Sequence, residues 1–202
     1  MAAIVKICLT TGAYLVLLAL GGGVYAEVLA RIELRHEFHD QVVLQSNGPC
    51  TGTLDFDLDG EPDILCSNAA ASHAGPDRGA VRIFSSATGL QIFAVEGQAD
   101  SEAFGGVDRS IGVPDLDGDR VPEVLVGFHF PHAYSRFEVS AQSRGAARLF
   151  SGSDGALLQQ FPSSTKKLCP TSVCEIGDYS GDGIAEIAIG EPCAKRVTLY
   201  DG

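Results

Sequence analysis

The sequence predicts an all-β protein, a partial β-propeller of about three blades, each blade a four-stranded antiparallel sheet. A nine-residue acidic loop recurs three times, starting at residues 55, 115 and 178, which sets periods of 60 and 63 residues. Each copy runs straight into a short apolar segment and then into a Gly-turned pair of further apolar segments, the signature of strands and hairpins. Glycine is abundant (24) while tryptophan is absent and methionine occurs once, which suits turns and short strands better than a helical bundle. Four short strands per repeat, at a period of about 40–65 residues, describe propeller blades that bury their faces against their neighbours.

The first 26 residues stand apart. Lys6 supplies a positive start, residues 13–20 (AYLVLLAL) an apolar core, Gly21-Gly22-Gly23 a break, and Val24-Tyr25-Ala26 small-residue cleavage chemistry. This reads as a secretory signal peptide over residues 1–26. The alternative is an uncleaved anchor, since residues 4–25 approach a bilayer's thickness. No later stretch is long and apolar enough to span a membrane, so none is expected after signal cleavage, and the mature chain is expected outside the cytoplasm or at the cell surface. Residues 27–46 are ambiguous, compatible with a short amphipathic helix around Val28, Leu29, Ile32 and Phe38 or a strand at Val42-Val43-Leu44.

Residues 47–202 carry the repeats, divided at about 47–97, 98–162 and 163–202, the last shorter than the others. After the acidic loops come Ile64-Leu65-Cys66, Val124-Leu125-Val126-Gly127 and Ile187-Ala188-Ile189-Gly190. The third strands follow as Gly79-Ala80-Val81-Arg82-Ile83-Phe84, Gly145-Ala146-Ala147-Arg148-Leu149-Phe150 and Lys195-Arg196-Val197-Thr198-Leu199-Tyr200. In the first two repeats, turns at Ala87-Thr88-Gly89 and Ser153-Asp154-Gly155 lead to a fourth strand. From the loop start to the matched position (Val81, Ala147, Val197) the count is 26, 32 and 19 residues, a variation that marks a surface connection.

The formal net charge is −12, which argues against nucleic acid as a partner, because phosphate binding needs clustered Lys and Arg. Of the 26 acidic residues, eleven lie at positions 1, 3, 5 and 9 of the loops, four in the first, four in the second and three in the third. Carboxylates this dense repel one another unless a cation sits among them, and hard oxygen donors select Ca²⁺ over softer metals. An EF-hand shares the D-x-D-x-D start but needs an acidic residue at position 12 and flanking helices. Position 12 here is Cys66, Val126 or Ile189, all apolar and within β-rich runs.

Catalytic signals are missing. His129 and His132 flank Pro131 in the longest connection, His36 and His39 fall in the ambiguous segment, and His73 lies in a small-residue loop. There is no nucleophile elbow or phosphate loop, and the recurring carboxylates are better explained as ligands than as an acid–base pair. The chain is therefore not expected to be an enzyme. Cys8 would leave with the signal, and five of the six cysteines remain. Cys50 and Cys66 flank the first loop, and Cys174 and Cys193 flank the third. Bridging each pair would staple the strands around its loop, while Cys169–Cys174 competes with the second bridge, and the spacing leaves both open. No ligand set for Zn²⁺ is complete.

The segment Phe104-Gly105-Gly106-Val107-Asp108-Arg109-Ser110-Ile111-Gly112-Val113-Pro114, followed by its acidic loop and Val124-Leu125-Val126-Gly127, resembles an FG-GAP repeat. That repeat builds the seven-bladed β-propeller of integrin α subunits and of many secreted bacterial proteins, and the resemblance covers residues 47–202. The Phe-Gly pair stands only in the second repeat; Ser46-Asn47-Gly48 and Lys167-Leu168-Cys169 take its place in the others. The resemblance implies Ca²⁺ in each loop, with side chains at positions 1, 3, 5 and 9 and a backbone carbonyl at position 7. The implied ligands are Asp55, Asp57, Asp59, Glu61 (carbonyl) and Asp63; Asp115, Asp117, Asp119, Val121 (carbonyl) and Glu123; and Asp178, Ser180, Asp182, Ile184 (carbonyl) and Glu186. Gly60 and Gly183 occupy position 6, where the turn favours glycine, whereas Arg120 stands there in the second loop, so the first loop ranks strongest. The implied function is a secreted, calcium-binding interaction or adhesion module with an extracellular protein or glycan ligand. The alternatives are a non-catalytic accessory portion of a secreted hydrolase or lyase, and a truncated structural fragment. Three repeats do not close a seven-bladed ring, and an open array exposes apolar faces, which points to self-association.

Overall fold

The computed structural model describes residues 4–8, 14–20, 23–28, 50–72, 74–98, 103–105, 109–128, 145–163 and 171–202, the first three stretches in backbone only. The chain divides into two compact units, Met1–Glu37 and Phe38–Gly202. In the first, β1 (Ile4–Cys8), β2 (Tyr14–Leu20) and β3 (Gly23–Val28) form an antiparallel meander in the order β1-β2-β3. The apolar run at the heart of the signal-peptide reading lies along β2. Among the described residues no helix is long and apolar enough to cross a membrane. Residues 29–46, the five histidines and Cys169 lie outside the described residues.

Among the described residues the second unit is all-β apart from one 3-10 turn at Pro192–Ala194. Its first sheet contains β4 (Cys50–Gly52), β5 (Ile64–Asn68), β6 (Ala80–Phe84) and β7 (Gln91–Glu96). The second contains β8 (Ser110–Val113), β9 (Glu123–Gly127), β10 (Gly145–Phe150) and β11 (Leu157–Pro162), and the third β12 (Ser172–Gly177), β13 (Glu186–Glu191) and β14 (Arg196–Tyr200). Every sheet is an antiparallel meander with its strands in chain order, and none closes on itself. Each acidic loop joins the first two strands of its sheet. The hairpins β6–β7 and β10–β11 turn alike: Ser85 and Ser151 accept from the Gly89 and Gly155 N–H groups, both glycines at positive φ. That conformation is open to glycine without a Cβ clash.

Period-two alternation explains how the sheets stack. On β9, Val124 and Val126 join Leu65, Val81, Ile83, Phe93 and Val95 of the first sheet in one core. Leu125, between them, joins Ala147, Leu149, Val173, Ile187 and Ile189 in a second core against the third sheet. The second sheet is thus covered on both faces, and in β9 the apolar run Val124-Leu125-Val126 follows Glu123 with every residue of the strand buried. Burial of each such side chain stabilises by about 1.5–3 kcal/mol.

The Phe-Gly pair is part of this packing. Phe104 is fully buried, edge-on to Phe150 at 5.7 Å between ring centroids, and the buried Arg148 guanidinium lies 4.4 Å from the Phe128 centroid and 5.9 Å from that of Phe104. Gly79 approaches so closely that an added Cβ would sit 2.1 Å from the Phe104 carbonyl oxygen.

Cys50 and Cys66 face each other across β4 and β5 and form a disulfide, as the flanking positions suggested. The bridges drawn for Cys174 are not formed, whether to Cys193 or to Cys169. Cys174 is a free, exposed thiol, because its cross-strand position is opposite Ala188, and Cys193 lies beyond the end of β13 in the 3-10 turn.

Candidate metal centre

The three acidic loops share one internal frame. The position 1 carboxylate turns inward and accepts from the backbone that wraps it. Asp55 takes the Asp59 and Gly60 N–H groups at 3.1 and 2.8 Å. Asp115 takes those of Gly118 and Arg120 at 2.6 and 2.8 Å. Asp178 takes those of Gly181, Asp182 and Gly183 at 2.6, 3.1 and 2.9 Å. At position 5, Asp59, Asp119 and Asp182 accept the N–H of position 7, Glu61, Val121 and Ile184 respectively, at 2.8–2.9 Å. The position 9 carboxylate, anchored at the start of the second strand, reaches back to the N–H of position 2: Asp63 to Phe56, Glu123 to Leu116 and Glu186 to Tyr179. The spacing 1-3-5-9 thus folds one loop three times over, by local carboxylate–backbone bonds that compete successfully with regular structure.

The frame gathers the carboxylates. In the second loop Asp115, Asp117, Asp119 and Glu123 each offer an oxygen within a mutual 4.8 Å. In the first, Asp55, Asp57 and Asp59 meet this condition, and in the third, Asp178, Asp182 and Glu186 do. Asp63 is not drawn into the first group. Both of its oxygens are engaged, Oδ2 by the Phe56 N–H at 2.7 Å and Oδ1 by the Ser86 N–H at 3.2 Å. In the third loop both Glu186 oxygens accept, one from Tyr179 and the other from the Ser180 N–H at 2.9 Å. Glu123 differs. Its Oε2 takes the Leu116 N–H at 2.7 Å, while its Oε1 is buried and has no hydrogen-bond partner.

A buried, unpartnered carboxylate oxygen beside three further carboxylates is costly. Burial, reinforced by the charges of Asp117, Asp115 and Asp119, pushes the Glu123 carboxyl up to about 7. Burial likewise raises the Asp63 carboxyl, against the two N–H groups that lower it. A hydroxyl from Ser153 holds Asp119 below its ordinary value, and the Tyr179 N–H does the same for Glu186. A divalent cation among the four carboxylates of the second loop would cancel their repulsion and offset the cost of burying Glu123, so the donor set fits a hard, oxygen-seeking ion.

Position 6 needs positive φ in all three loops, at 95° for Gly60, 77° for Arg120 and 95° for Gly183. Arg120 therefore carries a backbone strain that glycine avoids, yet its N–H still caps Asp115. Sequence reasoning missed one set of contacts, those from the hairpin turns. The β6–β7 turn sends the Ser86 N–H to Asp63, and the β10–β11 turn sends the Ser153 hydroxyl to Asp119. The serines at the ends of the third strands, Ser85-Ser86 and Ser151-Gly152-Ser153, were the available signal.

No protein-family model matches the chain, and no curated protein matches it in sequence.

Proposed function

We propose that the chain is a secreted calcium-binding β-propeller module of FG-GAP type, in which Ca²⁺ in the strand-to-strand loops is structural and the surface serves extracellular interaction or adhesion toward a protein or glycan ligand. The observation that carries the reading is Glu123, a buried carboxylate with one unpartnered oxygen, which gathers with the carboxylates of Asp115, Asp117 and Asp119 within 4.8 Å. The repetition of one loop frame in three successive sheets supports it, since a solvated acidic turn has no reason to recur in register. The Cys50–Cys66 disulfide is compatible with an oxidising compartment. Asp115, Asp117, Asp119 and Glu123, with the Val121 carbonyl, would hold the ion in the second loop. The other two loops would use the equivalent residues, with Ser180 replacing a carboxylate in the third. The ion's contribution is charge neutralisation and fixation of the turn between two strands, with no bond made or broken.

Extracellular modules bind Ca²⁺ with Kd on the order of 10⁻⁴–10⁻³ M, weak enough to need a calcium-rich medium and sufficient to fill there. At ten times Kd each filled site stabilises the fold by about 1.4 kcal/mol. Thermal unfolding in chelator and then in excess Ca²⁺ tests this. The melting temperature is expected to fall and recover, with Mg²⁺ a poorer substitute, and an unchanged melt contradicts the structural-cation reading.

A further inference from the structure

The hairpins β6–β7 and β10–β11 close with turns of equal length and different chemistry, Ser85-Ser86-Ala87-Thr88-Gly89 and Ser151-Gly152-Ser153-Asp154-Gly155. In both, the leading serine is buried and its carbonyl accepts the N–H of the closing glycine. The turns part company at the next two residues. In the first turn the second residue, Ser86, sends its N–H to Asp63 at position 9 of the acidic loop. In the second turn that place is taken by Gly152. It is the third residue, Ser153, that reaches the acidic loop, with its hydroxyl bonded to Asp119 at position 5. Ala87 stands at the matching place in the first turn and has no hydroxyl to offer Asp59.

Two features hold Ser153 in place. Gly152 seats the turn directly on the acidic loop, since an added Cβ would lie 2.0 Å from the Pro122 carbonyl oxygen and 2.8 Å from the Phe56 ring. Ser151 then fixes its neighbour: the Ser151 Oγ accepts the Ser153 N–H at 3.3 Å and lies 2.9 Å from the Ser153 Oγ. Asp119, ionised at neutral pH, has no proton to give, so Ser153 donates to it. A hydroxyl has one proton, so the bond between the two serines is donated by Ser151. The result is a directed relay, from a buried serine through an exposed one to a carboxylate of the cluster.

We propose that Ser153 is a positioning residue of the second cation site, a hydroxyl from outside the nine-residue loop that holds Asp119 in the ligand set. Asp119 is exposed, and its own loop anchors it through the Val121 N–H on Oδ1 at 2.8 Å. A second bond from a different hairpin restricts the rotation that a single bond leaves. It keeps an Asp119 oxygen grouped with those of Asp115, Asp117 and Glu123 before an ion arrives, so less order has to be created on binding. Partners of this kind, which bond a metal-binding carboxylate and not the metal, commonly change affinity tenfold or more, by order of magnitude. The coupling is reciprocal, so an ion in the loop also tightens the β10–β11 turn. The proposal rests on the calcium reading of the second loop and adds to it a residue that the 1-3-5-9 spacing does not contain.

Calcium titration of the ¹⁵N-labelled chain by NMR, read at the Arg120 and Gly60 amides, tests this with three chains. Ser153→Ala is expected to raise the Ca²⁺ midpoint at Arg120 by about three- to tenfold and to leave the Gly60 midpoint where it was. Ser153→Thr keeps the hydroxyl and is expected to restore the Arg120 midpoint. Ser153 is exposed, so neither change disturbs a core. Urea unfolding in chelator is therefore expected to be the same for all three chains, which a serine with a merely structural role would not give. In the unaltered chain the Gly155 amide, bonded to the Ser151 carbonyl, is expected to shift with the same midpoint as Arg120. An Arg120 midpoint that Ser153→Ala leaves in place overturns the proposal and leaves the calcium reading standing. So does a loss that Ser153→Thr does not restore, or an equal change at Gly60, which marks a general effect on the fold. No movement of Arg120 in the unaltered chain overturns the calcium reading, and the proposal with it.

Discussion

The first and second acidic loops differ by little in sequence and by much in what they offer a cation. Both carry four carboxylates at positions 1, 3, 5 and 9, and both use position 1 to cap their own backbone. At position 9 the first has Asp63 and the second Glu123, one methylene longer. The shorter side chain stays at the strand and is held by two N–H groups, from Phe56 and from Ser86 in the following turn. The longer one satisfies the equivalent N–H of Leu116 with one oxygen, leaves the other buried without a partner, and joins the carboxylate cluster. The second loop meanwhile has Arg120 where the first has Gly60, both at positive φ. The better turn residue and the better ligand arm therefore sit in different loops. Reach at position 9 decides which loop assembles four donors, and position 6 sets a smaller backbone cost.

Shortening the arm is the most damaging way to break the contrast. Glu123→Asp makes the second loop resemble the first and is expected to weaken its Ca²⁺ affinity by about 10–100-fold, by loss of one charged ligand. Isothermal titration against the unaltered chain checks this. The reciprocal change, Asp63→Glu, is expected to strengthen the first loop by about tenfold, since the added length frees an oxygen while the bond to Phe56 is kept. Enhanced luminescence of Tb³⁺ in that variant, with the second loop disabled by Glu123→Gln, reads the gain.

The proton provides a third test. The folded carboxyl of Glu123 titrates near 7, against an ordinary value of 4.5. The folded state therefore holds this proton more tightly than the unfolded chain does. Stability from the protonated form is complete below about 4.5, is lost as pH rises through about 7, and is flat above. Urea unfolding in chelator between these limits is expected to show falling stability with rising pH. Saturating Ca²⁺ should flatten that slope, because the ion takes the proton's place. Glu123→Gln should reduce the slope without abolishing it, since the Asp63 carboxyl is also raised by burial and contributes with the same sign.

The smallest expected effect is at position 6. Arg120→Gly removes a strained conformation and is expected to leave the net stability within about 1 kcal/mol, because the relief of strain is offset by the entropy glycine brings to the unfolded chain. Paired urea titrations of the two chains read this difference.

Much of the scaffold was legible because its signals are local and repeated. The alternation Val124-Leu125-Val126 announces a strand buried on both faces, and the turns at Gly89 and Gly155 announce the hairpins. The acidic loops were found by spacing alone, since a carboxylate at every second position needs no partner elsewhere to be recognised. The contrast between Asp63 and Glu123 was less visible. It depends on the Ser86 N–H, 23 residues further along the chain, and on a burial that places one Glu123 oxygen out of reach of water. Counting carboxylates and favouring glycine ranked the first loop above the second, while the geometry collects the fuller donor set around Glu123. The pairing of Cys174 was illegible for a similar reason. Flanking a loop brings two cysteines onto adjacent strands, but register decides whether they meet: Cys50 meets Cys66, whereas Cys174 meets Ala188.

The most direct test of the account is a residue-resolved Ca²⁺ titration of the ¹⁵N-labelled chain by NMR, following the position 6 amides of Arg120, Gly60 and Gly183, each bonded to the first carboxylate of its loop. The account predicts that Arg120 shifts and saturates at the lowest Ca²⁺, with Gly60 and Gly183 following at higher concentration. Saturation of Gly60 before Arg120, or no movement of Arg120 up to millimolar Ca²⁺, would contradict it.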